Sequence, residues 1–158
     1  MTAQEKFMKQ ALKQAQKAAL LDEVPVGAVI VQDGKIIARA FNKRRTPADA
    51  TGHAEIAVIK KACKKTGDFR LTSCDLYVTL EPCPMCAGAC VNARVENIYF
   101  GAYDEKAGCC GTLYNLPQDV RFNHRAAVTG GVLQEECAKL LSDFFKVKRK
   151  DKKQKEDF

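Results

Sequence analysis

Two short motifs, far apart along the chain, constrain the fold more than any other feature of the sequence. His53-Ala-Glu55 opens one helical pattern, and Cys83-Pro-Met-Cys86 follows a strand-like apolar run. Histidine nitrogen and cysteine sulfur are ligands that zinc prefers, and a tetrahedral ion with three protein ligands keeps its fourth position for water. We therefore expect a fold that brings His53, Cys83 and Cys86 together around a catalytic zinc ion.

The spacing of the two cysteines has a structural reason. Proline is tolerated at the first position of a helix, so Pro84 makes Cys83 the N-cap and puts Cys86 on the same side of the first turn. The positive helix end and a bound cation lower thiol pKa values, so we expect both cysteines to bind as thiolates. Two thiolates make the ion a weaker activator of its water, which requires a nearby base. Glu55, beside His53, is the candidate for this proton transfer.

The cysteine motif has two other interpretations. A closed structural zinc site needs a fourth ligand, for which Cys90 is the nearest candidate. On a continuous helix Cys90 lies roughly 10 Å beyond Cys83, too far to share an ion with it. A redox-active pair is the other alternative, but Cys-Pro-Met-Cys after an upstream His-x-Glu fits it poorly. Catalytic zinc remains the favoured interpretation.

The composition favours a single cytoplasmic domain. A chain of 158 residues can bury a sizeable core without disulfides. Its N-terminus shows a lysine-rich amphipathic pattern and lacks the apolar core of a signal peptide, and no apolar run is long enough to span a membrane. We therefore expect a reducing, cytoplasmic environment, in which the cysteines outside the metal site serve for packing.

The positive charge is concentrated at the C-terminus. The formal net charge is +7, and residues 146–158 contain seven lysines and arginines against three acidic residues. A polyanion is the partner that such a segment suggests, whereas for residues 152–158 a solvated, frayed end is the simpler interpretation. We divide the chain into one zinc-dependent globular domain over residues 1–145 and a basic tail over residues 146–158.

Apolar periodicity predicts helices and strands in alternation. We expect helices over residues 1–21, 53–65, 84–93 and 132–145, and strands over residues 26–31, 36–41, 76–80, 95–103 and 126–129. Residues 104–125 lose this periodicity and predict a long functional loop with room for a short helix. Gly27, in the first strand, is small enough for a ligand to approach the backbone. This order predicts an α/β layered domain with the metal ligands at the N-termini of two neighbouring helices.

With these motifs placed, the chain resembles the tRNA-specific adenosine deaminases of the cytidine deaminase-like superfamily over nearly its whole length. His-x-Glu followed by Pro-Cys-x-x-Cys is the signature of zinc nucleobase deaminases. The tRNA-acting branch is indicated by three later segments: Phe100-Gly-Ala-Tyr-Asp-Glu-Lys-Ala-Gly, Phe122-Asn-His-Arg, and the pair Phe144-Phe145 before the basic tail.

The resemblance implies a three-layer α/β/α fold on a five-stranded mixed sheet, a homodimer, and one zinc ion per subunit. It implies hydrolytic deamination of adenosine to inosine at the wobble position of a tRNA anticodon stem-loop, without a membrane partner. The site residues that it implies are the zinc ligands His53, Cys83 and Cys86, the proton carrier Glu55, the adenosine contacts Asn42 and Asn123, and weaker RNA contacts from Phe144, Phe145, Lys146 and Arg149.

One loop departs from the family pattern, and two rival functions stay open. The family reads Asp-Pro-Thr-Ala before His-Ala-Glu, whereas this chain has Asp49-Ala-Thr-Gly52 with Pro47 displaced upstream. That loop shapes the pocket mouth, so the departure bears on substrate detail. The first rival is a deaminase of free bases or nucleosides, of the guanine or cytosine type. The second is a catalytically silent RNA-binding zinc subunit, which would not need Glu55.

Overall fold

We describe residues 1–156 from a computed structural model of the chain. Helices and strands alternate as the periodicity predicts. The helices are α1 (Ala3–Leu20), α2 (Ala54–Thr66), α3 (Pro84–Asn92) and α4 (Gln134–Glu156), with a short 3-10 helix over Leu116–Gln118. The strands are β1 (Gly27–Gln32), β2 (Lys35–Phe41), β3 (Cys74–Leu80), β4 (Asn97–Ala102) and β5 (Ala127–Thr129).

The five strands form one mixed sheet in the order β2-β1-β3-β4-β5. Strand β1 is antiparallel to both β2 and β3, whereas β3, β4 and β5 run parallel. The β1–β2 hairpin turns at Asp33 and Gly34, whose φ angles of 50° and 74° are both positive, as a tight two-residue turn between twisted strands requires. The parallel strands β3 and β4 are connected by α3, which places the start of that helix at the end of β3.

Helices cover both faces of the sheet. Alternate residues of β1 point to opposite sides: Ala28 and Ile30 pack in the cluster that includes residues of α2 and α3, whereas Val29 and Val31 pack with α1 and α4. This arrangement confirms the predicted three-layer α/β/α fold on a five-stranded sheet. None of the helices within residues 1–156 combines the length and the apolar character that a membrane span requires.

Local sequence explains where the helices begin and end. Thr2 and Glu5 form a reciprocal capping box at the start of α1. Gly67 ends α2 in the left-handed conformation, with φ of 74°, and its N–H donates to the Cys63 carbonyl. Pro84 is the first residue of α3 and Cys83 is its N-cap, as predicted.

The structure corrects two expectations. The predicted end of the last helix at Phe145 is wrong, because α4 continues to Glu156. Residues 146–156 are mainly lysine, arginine, glutamate and glutamine, which favour helix but carry no apolar stripe for periodicity to detect. The end of the predicted basic tail, residues 157–158, lies outside the described residues. The expectation for Gly27 is also wrong: an added Cβ would collide with the backbone of Ala11 and Ala15, so the glycine allows α1 to pack closely on β1.

Candidate active site

The potential metal ligands meet where α2 and α3 begin. His53 is the N-cap of α2 and Cys83 is the N-cap of α3, and neither side chain caps its own helix. Both instead point to the space between the helix ends. His53 Nδ1 lies 3.6 Å from Cys83 Sγ and 3.5 Å from Cys86 Sγ. The three ligand atoms all lie within 4.8 Å of one another.

These distances suit a tetrahedral zinc ion. With zinc–sulfur and zinc–nitrogen bonds of about 2.3 Å and about 2.1 Å, a tetrahedral angle separates nitrogen from sulfur by roughly 3.6 Å. The nitrogen and two sulfurs also form a donor set typical of a catalytic site with three protein ligands. Cys90, considered above as a fourth ligand, is fully buried and packs in the hydrophobic core with α2 and the sheet. The arrangement therefore fits an open metal site.

Cys83 and Cys86 differ in how strongly they hold a proton. A hydrogen bond from Cys86 and a second from His53 lower the pKa of Cys83 to about 4. The same hydrogen bond to Cys83, together with burial, raises the pKa of Cys86 far above its ordinary value. Metal binding requires both sulfurs as thiolates, so metal uptake releases the Cys86 proton.

Glu55 lies in the first turn of α2, beside the three potential metal ligands. Its side chain is only 4% exposed. Burial raises the pKa of its carboxyl to about 7, against a smaller lowering by its own backbone N–H and by His53. A carboxyl with a pKa near neutrality can both accept and donate a proton at physiological pH. The geometry therefore suits the proton transfer expected of this residue.

A small cavity leads to these residues, and a groove lies next to it. The cavity has a volume of about 210 Å³ and is lined by Val24, Val26, Asn42, Arg44, His53, Glu55, Leu80, Glu81, Cys83, Asp104 and Ala107. The groove has a volume of about 480 Å³ and is lined by Asp22, Glu23, Val24, Arg44, Arg45, Ala48, Asp49, Ala50, Phe144, Phe145 and Lys148. Val24 and Arg44 line both, so the two spaces adjoin.

Comparison with known proteins places this site in a family. The MafB19-like deaminase family matches residues 2–149. The chain is 58% identical to the tRNA-specific adenosine deaminase of Bacillus subtilis (strain 168), over 97% of this chain and 95% of that protein. The chain is a member of the tRNA-specific adenosine deaminase family. The predicted family is thereby confirmed.

Two solved structures extend the comparison. One comes from biochemical and structural studies of A-to-I editing by tRNA:A34 deaminases at the wobble position of transfer RNA. It is 46% identical, has a TM-score of 0.83, and the match covers 86% of this chain and 99% of that one. The other is guanine deaminase from Bacillus subtilis, at 44% identity and a TM-score of 0.60, with 63% of this chain and 64% of that chain covered. The deaminase fold is common to both.

Asn42 lies in the cavity wall, as its predicted contact with adenosine requires. The residue follows β2 and is 6% exposed. Its side-chain oxygen accepts a hydrogen bond of 2.8 Å from the Ala54 N–H. Asn42 therefore caps the helix that His53 leaves uncapped, and its amide nitrogen is the group that remains for a ligand.

Asn123 lies elsewhere and does not line the cavity. It is exposed, and its side-chain oxygen accepts a hydrogen bond of 3.4 Å from Arg94, just beyond the C-terminal end of α3. The next residue, His124, fixes this segment by donating from Nε2 to the Val95 carbonyl at 2.7 Å. The cavity is at the opposite end of α3. Contact between Asn123 and adenosine stays a prediction.

The four predicted RNA contacts lie on α4, but only two of them line the groove. Phe144 and Phe145 form an edge-to-face pair with ring centroids 5.5 Å apart. Phe145 is 43% exposed, so the apolar spacing of the pair does not mean burial in the core. Lys146 and Arg149 are exposed on the same helix, outside the groove lining. RNA contact by these four residues stays a prediction.

Sequence reasoning missed two buried carboxylates that hold the loops around the cavity. Glu23 accepts hydrogen bonds from the Arg44 and Arg45 N–H groups at 3.0 to 3.1 Å. Glu81 accepts hydrogen bonds from the segment that follows β4. The sequence signal that could have found them is an acidic residue inside an otherwise apolar run, as in Glu23-Val-Pro-Val and Leu80-Glu-Pro. An acidic side chain in such a run is buried only when it is hydrogen-bonded or paired with a charge.

Proposed function

We propose that this protein deaminates adenosine to inosine at the wobble position of a tRNA anticodon by zinc-dependent hydrolysis. The observation that carries the proposal is the position of Glu55 and the three side chains that could bind a metal, beside a base-sized cavity. This cavity adjoins a groove lined by two aromatic rings and by both basic and acidic side chains. The membership of the chain in the tRNA-specific adenosine deaminase family supports this substrate.

His53 Nδ1, Cys83 Sγ and Cys86 Sγ would hold one zinc ion in each subunit. Bound in this way, zinc supplies a water molecule activated for attack on the carbon that carries the amino group. The donor set and the distances given above support zinc over hard cations such as magnesium, because thiolates are soft ligands.

Glu55 is proposed to move the protons of the reaction. Hydrolysis exchanges an amino group for an oxygen, so a proton must leave the water, and the ring nitrogen and departing ammonia must receive protons. Glu55 is buried and its carboxyl has a pKa of about 7, so the carboxyl can pass between its two protonation states. The presence of this base argues against the rival in which the protein is a silent RNA-binding subunit.

The size of the cavity supports entry of a single base. A volume of about 210 Å³ is smaller than the roughly 300 Å³ at which pockets for drug-sized ligands begin. The target base would therefore be turned out of its stack into the cavity, as enzymes acting on nucleobases require. Asn42 would donate from its amide nitrogen to an acceptor on the base, because its oxygen is already bonded to the Ala54 N–H.

The adjoining groove favours an RNA substrate over a free base. Neighbouring nucleotides could extend from the cavity past Val24 and Arg44 toward the rings of Phe144 and Phe145 and the Lys148 ammonium. Aromatic rings stack on bases and cations neutralise phosphates, whatever the sequence. A deaminase of free guanine or cytosine has no use for such a surface.

We further propose that the protein is a cytoplasmic homodimer. A tRNA substrate and eight free thiols are consistent with the reducing cytoplasm. The segment after β4 exposes large apolar side chains that a partner subunit would cover: Leu113, Tyr114, Val120 and Phe122. Light scattering on the purified protein tests the dimer, and a monomer mass at micromolar concentration would contradict it.

The test of function is inosine formation on an anticodon stem-loop with adenosine at the wobble position. We expect conversion of this hairpin, and none of the same hairpin carrying guanosine there. Free adenosine, cytidine and guanine form parallel arms of the assay. Chelation should abolish the activity, and added zinc should restore it.

Each arm decides between the candidates. Activity on free guanine alone would replace the RNA substrate with the function of the guanine deaminase to which the chain is similar. Binding of the hairpin without turnover, in protein with a full complement of zinc, would favour the silent subunit.

A further inference from the structure

Glu81 is a buried carboxylate outside the proposed proton-transfer chemistry. It follows β3, is 2% exposed, and borders the cavity. Its oxygens accept hydrogen bonds from three backbone N–H groups: Asp104 at 3.1 Å, Cys110 at 3.1 Å and Thr112 at 3.0 Å. The Thr112 hydroxyl donates a further bond. All four donors belong to residues 104–112, which we call the wall loop.

The wall loop forms one side of the cavity. Asp104 and Ala107 line it directly. The loop is also tied to the segment between β3 and α3, next to Cys83, because the Cys109 N–H donates to the Pro82 carbonyl at 2.9 Å. At Gly108 an added Cβ would collide with the Glu81 carboxylate, so a glycine is needed for the loop to close over it.

A carboxylate is suited to this position. It has only acceptor sites and can take several donors at once, and hydrogen bonds to an ionised acceptor are stronger than neutral ones. Its two oxygens meet donors on both sides, with Asp104 on one oxygen and Cys110 on the other. A glutamine of the same size would turn an NH₂ donor toward backbone N–H groups and leave part of this set unsatisfied.

We propose that Glu81 is a positioning residue, which fixes the wall loop and thereby shapes the cavity for the substrate base. It acts on substrate binding through Asp104 and Ala107. The proposal rests on the proposed function only in naming an RNA adenosine as that substrate.

The test compares Glu81→Gln with the wild-type enzyme. We expect KM for the hairpin to rise by about tenfold, because a loosened wall loop must be ordered when the base binds, with kcat within about threefold of wild type. Zinc content should be unchanged. Hydrogen exchange at the amides of Asp104, Cys110 and Thr112 should accelerate.

A pair of variants at exposed Thr112 covers the case in which Glu81→Gln fails to fold. Thr112→Val removes the hydroxyl donor and should raise KM by a few-fold, whereas Thr112→Ser keeps the donor and should restore the wild-type value. The proposal is overturned if Thr112→Val leaves KM and wall-loop exchange unchanged. It is also overturned if Glu81→Gln lowers kcat at constant KM.

Failure of the proposed function gives a different result. Wild-type protein would then convert a base other than the hairpin adenosine. The same KM comparison, made with that base, would still test the positioning role. Loss of zinc from folded Glu81→Gln would instead show that Glu81 supports the metal ligands, and would overturn the proposal.

Discussion

The candidate metal centre and the groove beside it are built in different ways. His53, Cys83 and Cys86 sit at two helix N-termini, and their ligand atoms are confined within 4.8 Å. The groove is assembled from the segment that follows α1, the loop before α2, and α4. Except for buried Glu23, its charged side chains lie at or near the surface, where Asp22 pairs with Arg45 at 2.9 Å and also with Lys148.

This difference suits the metal site to chemistry and the groove to recognition of the substrate. Buried groups in fixed positions keep the orientation that metal binding and proton transfer require. Exposed ion pairs hold their side chains weakly, because water and salt screen them. We therefore expect Arg45 and Lys148 to exchange Asp22 for phosphate when RNA binds. Substitutions in each region test this division.

The largest effect is expected from removing a metal ligand. Cys86→Ser replaces a buried thiolate with a hydroxyl, so zinc affinity should fall by more than the about 10- to 100-fold typical of a lost outer-sphere partner. Editing should be lost together with zinc, measured by elemental analysis of dialysed protein. Cys63→Ser is the control, since Cys63 lies at the far end of α2. Full zinc content in Cys86→Ser would contradict the assigned ligand set.

Glu55→Gln should separate the metal from the chemistry. The amide keeps the shape of the carboxyl but cannot transfer protons, so kcat should fall by about 10²- to 10⁴-fold while zinc content and hairpin affinity are retained. Single-turnover inosine formation measures the chemical step, and filter binding measures affinity. Near-normal turnover would remove Glu55 from the mechanism.

The groove should affect binding alone. Replacing both Phe144 and Phe145 with alanine removes stacking worth about 1–3 kcal/mol per base, so KM should rise at least tenfold with kcat retained. Phe69→Ala is the matched control, because that ring is 60% exposed and lies outside the groove. An equal KM for the double variant and the control would show that RNA does not reach these rings.

The smallest effect is expected at Asp22. The pKa of Asp22 is lowered from its ordinary value of 3.8, mainly by Lys148 and to a smaller extent by Arg45. Because the pKa of Asp22 is lower in the folded state, the stabilisation from these ion pairs is fully present at pH values above 3.8. It is lost only as the pH falls through the lower, folded-state pKa. At neutral pH, Asp22→Asn should free both cations and tighten hairpin binding by a few-fold.

Salt dependence checks the cause of that gain. The slope of log affinity against log salt should steepen by up to roughly 0.7 for each added phosphate contact. Asp119→Asn is the control, since Asp119 pairs with Arg121 on an exposed loop outside the groove. Weaker binding by Asp22→Asn would mean that Asp22 orders the groove instead of competing with RNA.

Much of the fold could be predicted because its signals are local. The turn at Asp33-Gly34, the start of α3 at Pro84 and the end of α2 at Gly67 each depend on the conformational preferences of neighbouring residues. The extension of α4 to Glu156 could not be read from periodicity, since a solvated helix has no apolar stripe.

The candidate site divides in the same way. The ligand types and spacing in His53-Ala-Glu55 and Cys83-Pro-Met-Cys86 predict a metal centre and its base, and the structure brings these residues together. The loop carrying Asp49 and Ala50, where the sequence departs from the family pattern, lines the groove and not the cavity. The sequence difference therefore affects the surface that would hold neighbouring nucleotides, and not the lining of the cavity.

The sequence by itself determined the expected chemistry, because two short local motifs, His53-Ala-Glu55 and Cys83-Pro-Met-Cys86, carry the candidate ligands, the base and the helix starts. Only the tertiary structure decided how the cavity is enclosed. Glu23 and Glu81 each bond a loop about twenty or more residues away, Asn123 lies beyond the far end of α3, and α4 delivers Phe144 to the groove. Such contacts depend on packing across the sheet, which brings together residues that no local pattern connects.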